Sequence, residues 1–226
     1  MISFKTIFNV FRYRIGLRST LPAKYVNSKK IYESNEPLVN IINDNTFDFY
    51  DEPKLRGGLW VRTGVYEKLK IAATILPAGY KILLYVGWRN KAYQWLKWEE
   101  CGHNIAFTAN PSGKNGVAPH QTGGAMDLSL VFNGAECDMG TEILAFDRQK
   151  SPIKNKFITD TQKQNRKILY GAMRSAGFVN YPNEWWHYSY GDRAWAAYGK
   201  HSNAIYGETF TPDYKLKPEE MKYKDL

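Results

Sequence analysis

Apolar residues recur along this chain with two different periods, and the switches between them predict a mixed order of helices and strands. From Thr63 to Leu76, the residues Val65, Leu69, Ala72, Ala73 and Leu76 share one stripe, with Pro77 just past its end, which predicts a helix with a single buried face. Tyr80 to Val86 is a nearly unbroken apolar run and predicts a buried strand. Asn90 suits the N-cap of a second helix reaching Glu100, with Ala92, Trp95 and Leu96 turned inward. Residues 101–119, rich in Asn, Gly, Ser and Pro, read as a loop able to rim a site. From Ala125 to Val131 the period drops to two, with Asp127 and Ser129 on one face and Met126, Leu128 and Leu130 on the other. A third helix spans about Asp160 to Ala176, where Ile168, Leu169, Ala172, Met173 and Ala176 form the stripe and Gly177 the stop. Aromatic-rich Trp185 to Tyr190 reads as a further strand.

Because these strands are not joined by regular crossover helices, the expected class is α+β, with helices against an antiparallel-rich sheet. Three regions are expected: a basic arm over residues 1–45, a central domain over 46–206 and an extended tail over 207–226. In the arm, Phe4, Ile7, Phe8, Phe11 and Ile15 recur at helical spacing, which suggests a short amphipathic helix. Packing on the domain, contact with a membrane surface and a cleaved targeting segment are all open for it.

Composition narrows the function classes. With 226 residues, 43% hydrophobic and 15% aromatic, the chain can bury a sizeable core. No run of about 18 apolar residues occurs, so no membrane-spanning helix is expected. The net charge of +9 is concentrated: residues 1–30 hold seven cations and no acid, leaving +2 for the rest. A folded surface that nearly balanced argues against a nucleic-acid reader. Cys101 and Cys137 could pair in an oxidising compartment or remain thiols, and Cys101-Gly-His103 alone is a weak metal motif.

The chemistry concentrates in His120-Gln-Thr-Gly-Gly-Ala-Met-Asp127 and Glu184-Trp-Trp-His187. Two imidazoles and a carboxylate form the ligand set of a catalytic zinc with one open position, and a further carboxylate supplies a base. An extended chain from 120 to 127 would span roughly 23 Å, far more than two zinc bonds of about 2 Å. The chain must therefore reverse, and Gly123-Gly124 is suited to the positive φ angles this needs. Glu184 and His187 would face opposite sides of a regular strand, so Glu184 is expected at the strand's start, re-aimed by the preceding Pro-Asn turn. A helix there stays open.

His-x-x-Gly-x-Ala-x-Asp followed by Glu-Trp-Trp-His resembles the D-alanyl-D-alanine dipeptidases, the VanX-type branch of the zinc D,D-peptidases. The likeness runs over roughly residues 58 to 199 and takes in Tyr80 to Arg89, similar to the family's strand ending in an aromatic-Arg pair. It implies one zinc ion held by His120, Asp127 and His187, Glu184 as the base and Arg89 as the stabiliser of the transition state. Two positions depart from the pattern: Ala118 stands where the family usually has a serine, and Asn90 where it has a proline. Trp185, where carboxypeptidase relatives tend to carry proline, points to the dipeptidases.

The resemblance also implies an acidic partner for the amine of a free dipeptide: the family carries an aspartate soon after a Met-Gly pair, so Glu142 and Asp147, downstream of Asp138-Met-Gly-Thr141, are the candidates, and spacing does not decide between them. The expected activity is zinc-dependent hydrolysis of D-alanyl-D-alanine or a similar short cell-wall dipeptide, in the bacterial cytoplasm, with a periplasmic or secreted location left open. The alternatives are a D,D-carboxypeptidase, a peptidoglycan endopeptidase of a lysin, and a non-catalytic zinc-containing binding module, against which the retained Glu184 and Arg89 argue.

Overall fold

In the computed structural model, residues 2–50, 58–103, 109–112, 116–143, 149 and 151–225 are described. The central sheet runs β2 (Asp48–Phe49), β4 (Tyr80–Val86), β5 (Ala125–Phe132), β8 (His187–Ser189), β7 (Val179–Asn180), with β6 (Ala135–Glu136) pairing the far end of β5. Only β2–β4 is parallel among these pairs. A two-stranded antiparallel sheet joins β1 (Leu38–Asn40) to β3 (Trp60–Arg62). The architecture is α+β and antiparallel-rich, as the pattern of elements implied.

The three central helices form close to their expected bounds. α3 (Thr63–Ile75) buries Val65, Leu69 and Ala72. α5 (Asp160–Ser175) starts at a Thr159–Gln162 capping box and buries Leu169, Ala172 and Met173. These two faces meet Met126, Leu128 and Leu130 of β5 in one core. α4 (Lys91–Glu100) is capped by Asn90, whose Oδ1 accepts from the Tyr93 amide at 2.7 Å. Its inward residues are Ala92, Gln94 and Trp98, whereas Trp95 and Leu96, expected inward, are only half-buried. The cause lies in the chain's end: the 3-10 turn Pro218–Tyr223 packs on α4 and supplies a second covering surface that a single-stripe reading does not anticipate.

The alternation in β5 predicted one solvated face, yet Ala125 to Val131 is buried throughout. The strand is central, with β4 and β8 on its two sides and the site on the face away from α3 and α5. The strand expected over Trp185–Tyr190 is shorter, His187–Ser189, because Trp185 and Trp186 belong to a turn.

The segment before residue 46 is woven into the body. β1 pairs with β3, and Ile31 bridges Ala204. Buried Arg62 donates from Nε to the Thr122 carbonyl at 2.9 Å and from Nη2 to the Gly207 carbonyl at 3.3 Å, and pairs with Glu33 at 3.3 Å, so it joins both ends of the chain to the site loop. α1 (Phe4–Arg14) and α2 (Ala23–Asn27) follow one another over α6 (Arg193–Tyr198). Trp88 donates from Nε1 to the Thr209 carbonyl at 3.0 Å and meets Tyr214 edge-on, which fastens the tail. Cys101 and Cys137 are free thiols.

Candidate metal centre and catalytic cleft

The chain reverses after His120 as the spacing required. His120 sits in the 3-10 turn Pro119–Thr122, which ends on Gly123 at φ 69°. A Cβ at Gly124 would stand 2.5 Å from the Tyr190 carbonyl oxygen, so only glycine admits this close approach of two backbones. The Tyr190 amide donates to the Gly124 carbonyl at 2.8 Å, which continues the β5–β8 pairing up to the turn.

Asp127 and His187 are register partners on β5 and β8 and therefore share a face. His187 Nδ1 lies 3.0 Å from Asp127 Oδ1, and His120 Nε2 lies 3.3 Å from Asp127 Oδ2. One donor atom from each of the three buried residues falls within 4.8 Å of the others. The other ring nitrogen of His120 sets its tautomer: Nδ1 is 2.8 Å from the Gly87 carbonyl oxygen, which accepts only if Nδ1 carries the proton, leaving the Nε2 lone pair aimed inward. Ser189 Oγ stands 3.5 Å from His187 Nε2 on the far side of that ring. Two imidazole nitrogens and a carboxylate oxygen, with one tautomer preset, fit a tetrahedral divalent metal and leave a fourth position for water.

Two consecutive turns bring Glu184 round. Its amide donates to the Tyr181 carbonyl at 3.0 Å, and the His187 amide donates to the Glu184 carbonyl at 3.3 Å. Asn180 Nδ2 donates to the Glu184 and His187 carbonyls at 2.8 and 2.9 Å and staples the turn shut. Trp185 and Trp186 anchor it from the core, with Trp185 Nε1 donating to Thr141 Oγ1 at 2.8 Å. As a result Glu184 Oε2 comes to 4.0 Å from His187 Nδ1, beside the group that could hold a metal. Asn180 was not singled out in the sequence, because an amide that staples a turn carries no chemical motif of its own.

Arg89 follows an irregular register in β4, between Leu84 and Val86, and its amide donates to the His120 carbonyl at 3.1 Å. Its Nη2 is 3.6 Å from Asp127 Oδ2, and its buried Nε has no partner among the described residues. The charges are strongly coupled. Burial would raise the Asp127 carboxyl, but His120 and His187 outweigh it and hold the group well below the usual carboxylate range. Burial pushes His120 down, towards the neutral form a metal requires. Glu184 is pushed up from 4.5 to about 7, chiefly by burial, with Asp127 adding to the rise and His187 and Arg89 opposing it.

These groups open into a cavity of about 340 Å³. Leu21, Val26 and Ile31 line it from the N-terminal segment, Val117 and Ala118 from the loop before His120, and Tyr181 and Tyr198 from the remaining side. The expected rim loop does contribute, through Ala109, Asn110 and residues 116–119, whereas residues 104–108 and 113–115 of that stretch lie outside the described residues. Buried Asp192, also overlooked in the sequence, lines the cavity and caps α6 through the Trp195 amide at 2.7 Å. Glu142 is exposed and does not line the cavity, and Asp147 lies outside the described residues.

A D-alanyl-D-alanine dipeptidase of Synechocystis sp. is 37% identical over 89 residues, covering 34% of this chain and 36% of that protein. The D-alanyl-D-alanine dipeptidase of Enterococcus faecium is 31% identical over 158 residues, covering 62% of this chain and 76% of that protein. The chain thus spans about a third of the first relative and about three quarters of the second. The family described as D-ala-D-ala dipeptidase, the M15 peptidases, matches residues 59–206, a stretch that holds both turns and Arg89, His120, Asp127, Glu184 and His187. The chain belongs to the M15 family of D-Ala-D-Ala dipeptidases.

Proposed function

We propose that this protein hydrolyses a free D-alanyl-D-alanine-type dipeptide, using one zinc ion held by His120, Asp127 and His187. The observation that carries the proposal is the convergence of those three buried residues within 4.8 Å, with Glu184 Oε2 a further 4.0 Å from His187 Nδ1. A bound zinc ion would acidify a water and polarise the scissile carbonyl. Glu184 is not needed as a ligand, and its raised pKa suits a group that takes a proton near neutral pH and returns it to the leaving amine. Arg89, whose Nη2 lies 3.6 Å from Asp127 Oδ2 and whose Nε has no partner among the described residues, would face the oxygen on which charge develops.

The cavity supports a short substrate over an extended wall polymer. Its volume is at the small end for ligand pockets, and Leu21, Val26 and Ile31 wall one side. For the substrate's ammonium, we carry Asp147 forward of the two carboxylates named from sequence, since Glu142 does not line the cavity. The test is direct. Zinc-loaded protein should release D-alanine from free D-alanyl-D-alanine and leave longer, blocked peptides nearly untouched. Equal turnover of intact peptidoglycan would assign the chain to wall lysis instead.

A further inference from the structure

The N-terminal helix faces the wrong way for a core element. α1 seats itself through Thr6 and Val10, which are buried, and through Tyr13, whose ring meets Tyr198 edge-on at 5.6 Å. Val10 packs with Leu21 and Ala197 in a small cluster apart from the main core. The apolar stripe lies on the opposite side: Ile7, Phe8, Phe11 and Ile15 are each at least half exposed, and Phe4 is 84% exposed. Their spacing at i, i+3, i+4, i+7 and i+11 makes them one continuous face. On the helical wheel Lys5 and Arg12 border that face on one edge and Arg14 on the other, and all three are exposed. Leu17, 63% exposed, and Arg18 extend the same arrangement past the helix end.

We propose that α1 lies in the surface of an anionic lipid bilayer, with Phe4, Ile7, Phe8, Phe11 and Ile15 inserted among the acyl chains and Lys5, Arg12, Arg14 and Arg18 at the headgroups. An outward apolar stripe of this size marks an interaction surface. Charge selects the occupant: residues 1–30 carry seven cations and no acid, so the covering surface must be negative as well as apolar. An anionic leaflet offers both at once, and long cationic side chains at the edges of the stripe can reach its headgroups. The helix is too short and too charged to span, in keeping with the described residues, none of whose helices is long and apolar enough to cross a membrane. The seat of α1 also includes Val26 and Tyr198, which line the cavity, so a bilayer-bound helix holds the cleft beside the membrane.

The full-length protein should sediment at least about tenfold more with vesicles of phosphatidylcholine mixed with phosphatidylglycerol than with phosphatidylcholine alone, and this difference should shrink as salt is raised. The double variant Phe8→Ser, Phe11→Ser should lose that binding about tenfold while keeping its melting temperature and dipeptide turnover, since both side chains are exposed. Equal sedimentation with the two vesicle types, none with either, or binding unaltered in the double variant would each overturn the proposal. So would a concentration-dependent dimer in solution that the double variant abolishes, because the stripe would then be an interface with a second copy.

Discussion

Asp127 and His187 face each other across the β5–β8 ladder, with the carboxylate Oδ1 3.0 Å from the imidazole Nδ1, although sixty residues separate them along the chain. A register pair on adjacent strands is a stiff mount for two donor atoms, because ladder hydrogen bonds fix both backbones. His120, supplied by a turn, completes the set. His120→Ala should therefore lose metal first: zinc content by atomic absorption after dialysis should fall well below one ion per chain, with the fold retained by circular dichroism. Full zinc occupancy in that variant would remove His120 from the ligand set.

On the proposed function, Glu184 serves catalysis and not metal binding. Glu184→Gln should keep its zinc and lose turnover by about 10²- to 10⁴-fold, the usual worth of a positioned proton carrier. The same variant has a stability signature in the metal-free protein. The folded carboxyl titrates near 7 against an ordinary 4.5, so the folded state binds the extra proton between these values and loses stability as pH rises through them. Glu184→Gln removes that penalty. Metal-free Glu184→Gln should be more stable than the parent at pH 8 by about 1 to 3 kcal/mol, the side chain being partly exposed, and no more stable at pH 4. An identical melting difference at both pH values would show that the carboxyl is not held in its buried, neutral-leaning state.

Arg89 is predicted to act on the reaction rather than on the fold. Among the described residues it pairs with Asp127 at 3.6 Å, a contact that zinc coordination would share. Arg89→Ala should leave zinc content unchanged and lower kcat by roughly 10²- to 10³-fold, as when a single oxyanion donor is removed. If KM alone rises while kcat holds, Arg89 binds substrate without stabilising the transition state.

Gly124 tests the backbone that carries the proposed ligands. A Cβ there would meet the Tyr190 carbonyl oxygen at 2.5 Å, closer than van der Waals contact permits, and neither partner is a flexible side chain. Gly124→Ala should push β5 and β8 apart, at a cost of about 2 kcal/mol or more, and weaken zinc binding in proportion. Chemical denaturation and metal titration of the same variant measure both. Loss of stability with unchanged zinc affinity would show that the strand pairing does not set the ligand spacing.

Much of this protein was legible along the chain because it rests on local rules. Helical and strand periods located α3, α4, α5, β4 and β5 to within a few residues, and the His120-to-Asp127 spacing demanded a reversal at Gly123-Gly124, which is where the chain turns. Those signals survive because periodicity and glycine's positive φ act within a few residues of one another. What neighbours decide was hidden. β5 is buried on its polar side as well because it is central, flanked by β4 and β8, and the 3-10 turn bearing His120 packs against it, and α4 turns Gln94 and Trp98 inward because Pro218–Tyr223 packs over it. The approach of Glu184 depends on Asn180 stapling a turn, and the cavity wall on Leu21 and Val26, residues that carry no motif. Most telling is α1, whose stripe could be read as apolar but not as outward-facing. Which side of an amphipathic helix meets the body depends on the shape and charge of the surface that receives it, and that surface exists only once the whole chain has folded.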